Sequence, residues 1–235
     1  MELFLGIETS TSNCSVGFFK NDILVDSIEE DNGFSHSEKL GLYAQLLLDR
    51  NKVKVSDLNA IGIGVGPGSY TGLRIGVSFV KGLAYAHKIP IISFTSLELM
   101  VNQFYSAKIE HNSNDILIPM IDARREEVYC QVYQNKEEPL SSIYSHILVA
   151  DSYSEYVNQK GRILCFGTGS NKVISIVNNR NIEIIGGIVP SVLGMSNSIS
   201  QKFGKKDFEN TAYFEPFYLK EFIAGKPKRS LLIPE

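Results

Sequence analysis

Short apolar runs separated by polar turns open the chain. Residues 3–7 and 14–20 predict two strands joined by the Ser/Thr/Asn-rich turn at 10–13, and residues 23–28 predict a third strand. We therefore expect the chain to begin with three strands arranged as an antiparallel meander.

Helical and strand patterns then alternate. Ser35-His36-Ser37-Glu38 fits a capping box, and the near-continuous apolar run at 60–65 fits a strand that is covered on both faces. Thr95-Ser96-Leu97-Glu98 is a second capping signal. The predicted elements are a helix at 36–50, the strand at 60–65, a helix at 69–87, a strand at 89–94 and a helix at 95–105.

The second half of the chain repeats this order in outline. It has predicted strands at 116–121, 128–133, 144–149, 162–166 and 182–185, helices at 151–159, 171–178 and 191–203, and a strand-like segment at 214–219. We expect a first lobe at 1–106, a linker at 107–114 and a second lobe at 115–235. The basic, Pro-rich end of the second lobe, from about residue 225, is expected to be an exposed tail.

Composition limits the classes of partner. The chain has 235 residues and a net charge of −3, so no overall cationic field would draw it to RNA or to an acidic membrane. Contact with RNA would then be local or made through a partner. Cys14, Cys130 and Cys165 lie outside any CxxC or Cys/His cluster, which favours reduced core thiols in a cytoplasmic protein. The amino-terminal residues predict neither a signal peptide nor a membrane span.

A glycine-rich turn leads from the strand at 60–65 into the helix at 69–87. Its sequence is Gly66-Pro67-Gly68-Ser69-Tyr70-Thr71-Gly72-Leu73-Arg74. Backbone amides at the start of a helix attract anions, so one interpretation of the turn is a phosphate cradle. Its spacing matches neither GxxxxGK[ST] nor GxGxxG, and the other interpretation is a tight strand-to-helix connection.

The helix at 69–87 is rich in glycine. Gly72, Gly76 and Gly82 each cost about 1 kcal/mol relative to Ala, so packing must offset about 3 kcal/mol in total. A helical wheel places Leu73, Val77, Val80 and Ala84 on one face, Ile75, Phe79 and Gly82 nearly opposite, and Arg74, Ser78 and Lys81 in a narrow polar sector. We expect one apolar face to cover the sheet and the other to meet the helix at 38–50 or a partner protein.

Glu8 stands at the end of the first predicted strand, beside the hydroxyl-rich turn. In a nucleotide-binding lobe such a carboxylate can organise Mg²⁺ while turn amides meet phosphate, but an ordinary turn has the same pattern. Two further turns leave a similar choice: 122–129 is a contact surface or a solvated hairpin, and 167–170 is an anion nest or a plain helix start. The four histidines lack metal-ligand spacing and no GxSxG occurs, so neither a mononuclear metal site nor an elbow-type serine hydrolase is predicted.

Five motifs give the chain a family resemblance. They are IETSTSNCSVGFF, GVGPGSYTGLRIGVSFVKGLA, SFTSLELM, IDARREEVY and FEPFYLK. In this order and spacing the sequence resembles TsaB (YeaZ), a family of tRNA threonylcarbamoyladenosine biosynthesis proteins, over nearly its whole length. The resemblance implies the two-lobed α/β fold of actin-like ATPases, sugar kinases and Hsp70, built from related ribonuclease H-like lobes of which the second is reduced.

The resemblance also implies a function. Proteins of this family are non-catalytic partners of TsaD, a paralogue that transfers threonylcarbamoyl from threonylcarbamoyl-AMP to N6 of the adenosine beside the anticodon in ANN-decoding tRNAs. TsaC or Sua5 makes the adenylate, and the ATPase TsaE completes the bacterial assembly. TsaD carries a metal-binding HxxxH where this sequence has Ser96 and Met100, which do not replace imidazole. The implied protein has no metal or cofactor of its own.

Residues of the family's dimerisation surface follow from the same resemblance. That surface is built from the first two helices of the first lobe, which pack against the same helices of TsaD, or of a second copy when TsaD is absent. Here it comprises Leu40, Tyr43, Leu47, Tyr70, Gly72, Arg74, Ile75, Gly76, Phe79 and Gly82. A vestigial nucleotide site would comprise Glu8, Thr9, Ser10, Gly66 and Gly68.

Two positions depart from the family pattern: Tyr70 stands where Phe is commoner and Glu126 where Gly is usual. The departure at Glu126 leaves the contacts of its turn open. The alternative function for the whole chain is a stand-alone actin-like ATPase or kinase that binds Mg-ATP.

Overall fold

The computed structural model describes residues 1–31, 36–136, 139–156, 161–178 and 180–220. The first sheet comprises β1 (Leu3–Glu8), β2 (Cys14–Lys20), β3 (Ile23–Glu30), β4 (Ala60–Gly64) and β5 (Ile91–Phe94). The second comprises β6 (Ile116–Asp122), β7 (Glu127–Cys130), β8 (Tyr144–Ile147), β9 (Ile163–Phe166) and β10 (Ile182–Ile185). The helices are α1 (His36–Asn51), α2 (Tyr70–His87), α3 (Ser96–Ser106), α4 (Asn171–Ile176) and α5 (Ile199–Gly204), and 3₁₀ turns lie at Val55–Asp57, Ser154–Tyr156 and Val192–Met195.

The two sheets have one topology. The strand order is β3-β2-β1-β4-β5 in the first and β10-β9-β6-β7-β8 in the second, which is the same order viewed from the other edge. In each sheet the first three strands in chain order form an antiparallel meander. The fourth strand then pairs parallel with the first, and the fifth pairs parallel with the fourth. This duplication confirms the expected actin-like fold of two ribonuclease H-like lobes. The second lobe is reduced in its helices, since α4 has only six residues.

Helices α1 and α2 cover one face of the first sheet. Leu40 and Leu47 of α1 share a buried core with Val77 and Val80 of α2 and with Ile63 of β4. Both helices are amphipathic in the predicted register, and the side chain of Ser69 caps α2 by accepting a hydrogen bond from the amide of Gly72. The helix predicted at 36–50 is confirmed, while Ser35, the first residue of its predicted capping box, lies outside the described residues.

Residues 192–199 cover the opposite face of the first sheet. Val192, Met195 and Ile199 pack against Phe4 and Phe94 in a second buried cluster. An isolated bridge also joins Ile91 to Glu209, and Phe214 lies in the core beneath α1 and α2. The second lobe predicted at 115–235 is therefore corrected, because its later part packs on the first lobe. The reason is that a central sheet needs cover on both faces, and α1 and α2 both lie on one.

Helix α3 packs on the second sheet although it precedes that sheet in the chain. Leu97 and Phe104 contact Leu117 and Phe166, and the rings of Phe104 and Phe166 stack with centroids 5.3 Å apart. The predicted capping box of α3, formed by Thr95 and Glu98, is confirmed. Helix α3 also packs on the first lobe, since Leu99 shares a cluster with Phe4 and Phe94, so α3 connects the two lobes ahead of the linker predicted at 107–114.

Three predicted elements differ in the structure. Of the helix predicted at 151–159, the described residues form only a 3₁₀ turn, and the helix predicted at 191–203 is broken between Met195 and Ile199, where Asn197 has a φ of 63°. The strand-like segment at 214–219 pairs with no strand, because its backbone and side chains bind along α2 instead. The tail predicted from residue 225 lies outside the described residues. No helix among the described residues is long and apolar enough to cross a membrane.

Candidate functional site

Three of the glycines at the start of α2 contact the turn between β1 and β2. A Cβ on Gly72 would lie 2.1 Å from the carbonyl oxygen of Thr9, and a Cβ on Gly76 would lie 2.3 Å from Thr9 Oγ1. A Cβ on Gly68 would lie 2.2 Å from the carbonyl oxygen of Ser10. Gly72 and Gly76 are buried in the isolated chain, so the prediction that they form a partner surface is wrong. They are glycines because the helix meets its own lobe there without room for a methyl group.

Two hydrogen bonds also join the start of α2 to the turn between β1 and β2. Thr9 Oγ1 donates to the carbonyl of Gly72 at 2.8 Å, and the amide of Ser69 donates to the carbonyl of Ser10 at 2.6 Å. A carbonyl oxygen therefore already lies at the start of α2, where a phosphate cradle needs free amides. A phosphate at the Ser69 amide would have to displace that carbonyl, which supports the interpretation of the turn as a tight strand-to-helix connection.

Glu8 points into the protein. Its carboxylate accepts hydrogen bonds from the amide of Ser10 at 2.5 Å and from Ser96 Oγ at 3.1 Å, and a Cβ on Gly64 would lie 1.8 Å from Oε2. The side chain is fully buried, and this burial raises the pKa of Glu8 above its ordinary value. A carboxyl group enclosed in this way cannot organise Mg²⁺ in an open cleft, so the ordinary-turn interpretation holds for Glu8.

A small cleft separates the lobes beside the same turn. Its volume is about 250 Å³, below the roughly 300–1,000 Å³ that is usual for ligand pockets. It is lined by Thr11, Ser12, Asn13, Glu29, Asp31, Thr168 and Val189. None of the five residues of the predicted vestigial nucleotide site lines it, and its two carboxylates would repel phosphate. The cleft is thus poorly suited to a nucleotide.

Contacts within the chain also occupy the turn at 167–170 of the second lobe. Thr168 Oγ1 accepts a hydrogen bond from the amide of Asp122 at 3.1 Å, and Lys172 forms an ion pair with Asp122 at 2.7 Å. The turn serves as a plain helix start. Arg124 and Arg125, in the neighbouring turn, are exposed with φ of 72° and 48°, which fits a solvated hairpin.

Ser96, Met100 and the cysteines are buried. Ser96 and Met100, at the positions where the resembled transferase has metal-binding histidines, are both fully enclosed. Burial raises the pKa of Cys14 and of Cys130 to about 11, so neither thiol is ionised near neutral pH. Among the described residues there is no group of three or more His, Cys, Asp or Glu side chains that could hold a metal ion.

The outer face of α1 and α2 carries several apolar side chains. The helices approach closely, since a Cβ on Gly41 would lie only 3.7 Å from Phe79 Cε2. Ile75 and Phe79 of α2 are half-buried along this seam, and Tyr43 of α1 is half-buried on the flank towards β3, where its hydroxyl donates a hydrogen bond to the carboxylate of Glu30. Leu42, Leu46 and Tyr85 are exposed beside it, to 55%, 36% and 84%. The prediction that Leu40 and Leu47 belong to the partner surface is corrected. Both side chains are buried in the core, because their positions around the axis of α1 face the sheet.

Gly82 differs from the other glycines of α2. It is exposed, and a Cβ built on it would meet nothing within 4 Å. No contact within the described chain therefore explains a glycine here. Of Gly72, Gly76 and Gly82, it is the one whose low helix propensity is not offset by close packing within the described part of the lobe.

A segment near the end of the chain lies along the other side of α2. We call residues 212–220 the strap. Lys81 Nζ donates to the carbonyls of Ala212 and Phe214 at 3.2 and 2.8 Å, and the amide of Phe217 donates to the carbonyl of Val65 at 2.9 Å. Lys220 of the strap forms an ion pair with Glu127 of the second lobe.

The strap also reaches the start of α2. The rings of Tyr70 and Tyr218 have centroids 4.8 Å apart, and Arg74 Nε donates to Tyr218 Oη at 3.1 Å. Sequence reasoning missed this contact. The only signal was the polar sector of α2, whose Arg74 and Lys81 bind the strap.

The sequence and the structure of the chain are similar to those of known proteins. The family model described as "TsaD: tRNA N6-adenosine threonylcarbamoyltransferase" matches residues 30–165. The chain is 28% identical to the tRNA threonylcarbamoyladenosine biosynthesis protein TsaB of Escherichia coli (strain K12), over 94% of this chain and 96% of that protein. It is 30% identical to the Bacillus subtilis (strain 168) protein of the same name, over 69% of each. The solved structure of YeaZ from Pseudomonas aeruginosa matches with a TM-score of 0.80 at 24% identity, over 93% of this chain and 100% of that one.

Proposed function

Because the chain belongs to the TsaB (YeaZ) family, we propose that it acts in tRNA threonylcarbamoyladenosine biosynthesis as a non-catalytic subunit. It docks the paralogous threonylcarbamoyltransferase, TsaD, through the outer face of α1 and α2. The observation that carries this proposal is the half-buried pair Ile75 and Phe79 on α2, beside Gly41 and the exposed Leu42 of α1. Single exposed apolar side chains are ordinary on protein surfaces, but a continuous apolar strip on two packed helices favours an interface.

Homology between the partners supports the same face. The transferase family model matches residues 30–165, a range that includes α1 and α2. Two homologous chains that carry the same helix pair can pack those helices around a pseudo-two-fold axis, as identical chains do in an isologous dimer. The same face then serves a homodimer when the transferase is absent, and the two assemblies exclude each other.

The closed chemistry of the chain supports a non-catalytic role. The start of α2 is occupied by the carbonyl of Ser10, Glu8 is enclosed, and Ser96 lies where a metal ligand would be needed. The reacting groups are then supplied by the partner, and tRNA is bound mainly through the complex. The ATPase TsaE joins the assembly in the cytoplasm as a further partner.

Co-purification with the transferase tests the proposal. Leu42→Glu adds a charge to an exposed side chain of α1 and leaves the core intact, so the variant should fold and yet lose the complex. Ile174→Glu is the matched control, since Ile174 is 71% exposed on α4 in the other lobe. If Leu42→Glu and Phe79→Glu both retain the complex while remaining folded by circular dichroism, this face is not the interface.

A further inference from the structure

Arg74 is an exposed cation held in one orientation by two tyrosines. Its guanidinium carbon lies 4.1 Å from the centroid of the Tyr70 ring, and its Nε donates to Tyr218 Oη at 3.1 Å. No ion pair joins Arg74 to a carboxylate within the part of the chain that the structure describes. The bond to Tyr218 uses Nε, and it leaves the N–H groups of Nη1 and Nη2 on this exposed side chain available to another acceptor.

That edge is the part of arginine that recognises planar anions. Nη1 and Nη2 present parallel N–H groups that match the two oxygens of a carboxylate. A free arginine side chain loses much rotamer freedom when it binds, and here the stacking on Tyr70 and the bond to Tyr218 have already restricted that freedom. Arg74 is therefore preorganised for an anion that its own chain does not supply.

The position of Arg74 indicates where that anion comes from. Arg74, Ser78 and Gly82 follow one another at intervals of four residues and are all exposed, so Arg74 lies at the strap-side edge of the exposed surface of α2 that the proposed partner face includes. Binding to a phosphate backbone uses several cations together, but the nearest cation of the same sector, Lys81, is occupied by the strap carbonyls. A single preorganised arginine beside an apolar strip is typical of an anchor at the edge of a protein interface.

We propose that Arg74, oriented by Tyr70 and by Tyr218 of the strap, receives a carboxylate of the paralogous subunit when that subunit docks on α1 and α2. This inference rests on the proposed function and adds the strap to the interface. The strap is held in place by the bond from Phe217 to Val65 and by the lack of a side chain at Gly66, where a Cβ would lie 2.9 Å from the Phe217 carbonyl oxygen. Partner affinity thus depends on a segment more than 140 residues away along the chain, as the separation of 144 between Arg74 and Tyr218 shows.

Affinity for the purified transferase, measured by calorimetry or interferometry, tests the inference. Arg74→Gln should weaken binding about tenfold or more, as expected for an interface anchor. Tyr218→Phe keeps the ring but removes the hydroxyl, and should weaken binding by a smaller factor. The double variant should bind as Arg74→Gln does, because the hydroxyl acts only through the arginine. Tyr213→Phe is the matched control on the same strap, since Tyr213 is 83% exposed, and should leave affinity unchanged.

The salt dependence of binding separates an ion pair from loss of structure. Wild-type affinity should fall more steeply with added salt than that of Arg74→Gln, because the variant has lost one screened charge pair. Equal salt slopes, or a wild-type Kd for Arg74→Gln, would overturn the inference. So would an unchanged Kd for the transferase together with weaker tRNA binding by the assembled complex, which would assign Arg74 to a phosphate.

The outcomes also distinguish this inference from the proposed function. If Leu42→Glu abolishes the complex while Arg74→Gln binds normally, the docking face stands and the role of Arg74 falls. If the wild-type chain does not bind the transferase, the proposed function itself fails.

Discussion

Gly76 and Thr9 are in direct contact: a Cβ on the glycine would lie 2.3 Å from the threonine hydroxyl oxygen. Real Cβ atoms are not found at this distance from an oxygen, so the pair sets how closely α2 approaches the β1–β2 turn. Beside this pair, the amide of Ser69 donates to the carbonyl of Ser10 at the start of the helix, so this amide is already occupied within the chain. A motif that suggests an anion site in the sequence is therefore a packing motif in the folded chain.

The glycines of α2 should respond in opposite ways to alanine. Gly72→Ala and Gly76→Ala should each destabilise the protein by about 1–3 kcal/mol, since overpacking outweighs the gain in helix propensity. Gly82→Ala should stabilise it by up to about 1 kcal/mol, because nothing lies within 4 Å of the new methyl group. Urea unfolding of the three variants checks this. Equal effects at all three positions would contradict the packing described for Thr9.

Gly82 should matter to a partner and not to the fold. In the proposed complex, the helices of the transferase pack over this glycine. Gly82→Glu should therefore weaken the complex strongly. Its unfolding midpoint should stay close to that of Gly82→Ala. The comparison of these two variants in one binding assay separates helix propensity from interface contact. Normal affinity of Gly82→Glu would place the interface elsewhere on α1 and α2.

Glu8 should give the protein an unusual dependence on pH. Its folded-state pKa is raised above 4.5, chiefly by burial. The folded state therefore holds this proton more tightly than the unfolded state, and the contribution of Glu8 to stability is present below the unfolded pKa and is lost as pH rises through the folded pKa. Glu8→Gln is neutral at every pH and can keep a carbonyl acceptor for the amide of Ser10.

We therefore expect Glu8→Gln to gain stability relative to wild type within the pH window that starts at the ordinary carboxyl pKa of 4.5 and extends upward. Unfolding free energies measured at several pH values in this window provide the test, with Glu38→Gln, an exposed carboxylate on α1, as the control. A constant difference between Glu8→Gln and wild type across this window would show that the buried carboxyl does not titrate as proposed.

Nucleotide binding distinguishes the subunit from a stand-alone ATPase or kinase. Calorimetry of the isolated chain with Mg-ATP should show no micromolar binding, because the helix start is blocked and the cleft of about 250 Å³ carries Glu29 and Asp31. Micromolar affinity with turnover that disappears in Glu8→Ala would instead establish the enzyme. Glu8→Gln should in addition leave tRNA modification by the reconstituted complex intact.

The sequence determined the local elements and the duplicated order of strands. The period of apolar residues placed α1, α2 and α3 within a residue or two of their observed bounds, and the capping box at Thr95 marked the start of α3 correctly. These features depend on neighbours within one or two turns of the chain, which periodicity and capping report directly.

Only the tertiary structure decided what each surface contacts. The wheel of α2 showed two apolar sides, but it could not show that Gly72 and Gly76 meet Thr9 while Gly82 meets nothing. Likewise, no local pattern revealed that the strap lies beside Arg74, or that Val192 and Met195 cover the first sheet. These contacts join residues far apart along the chain, and the choice among them depends on which apolar faces remain uncovered once both sheets have formed.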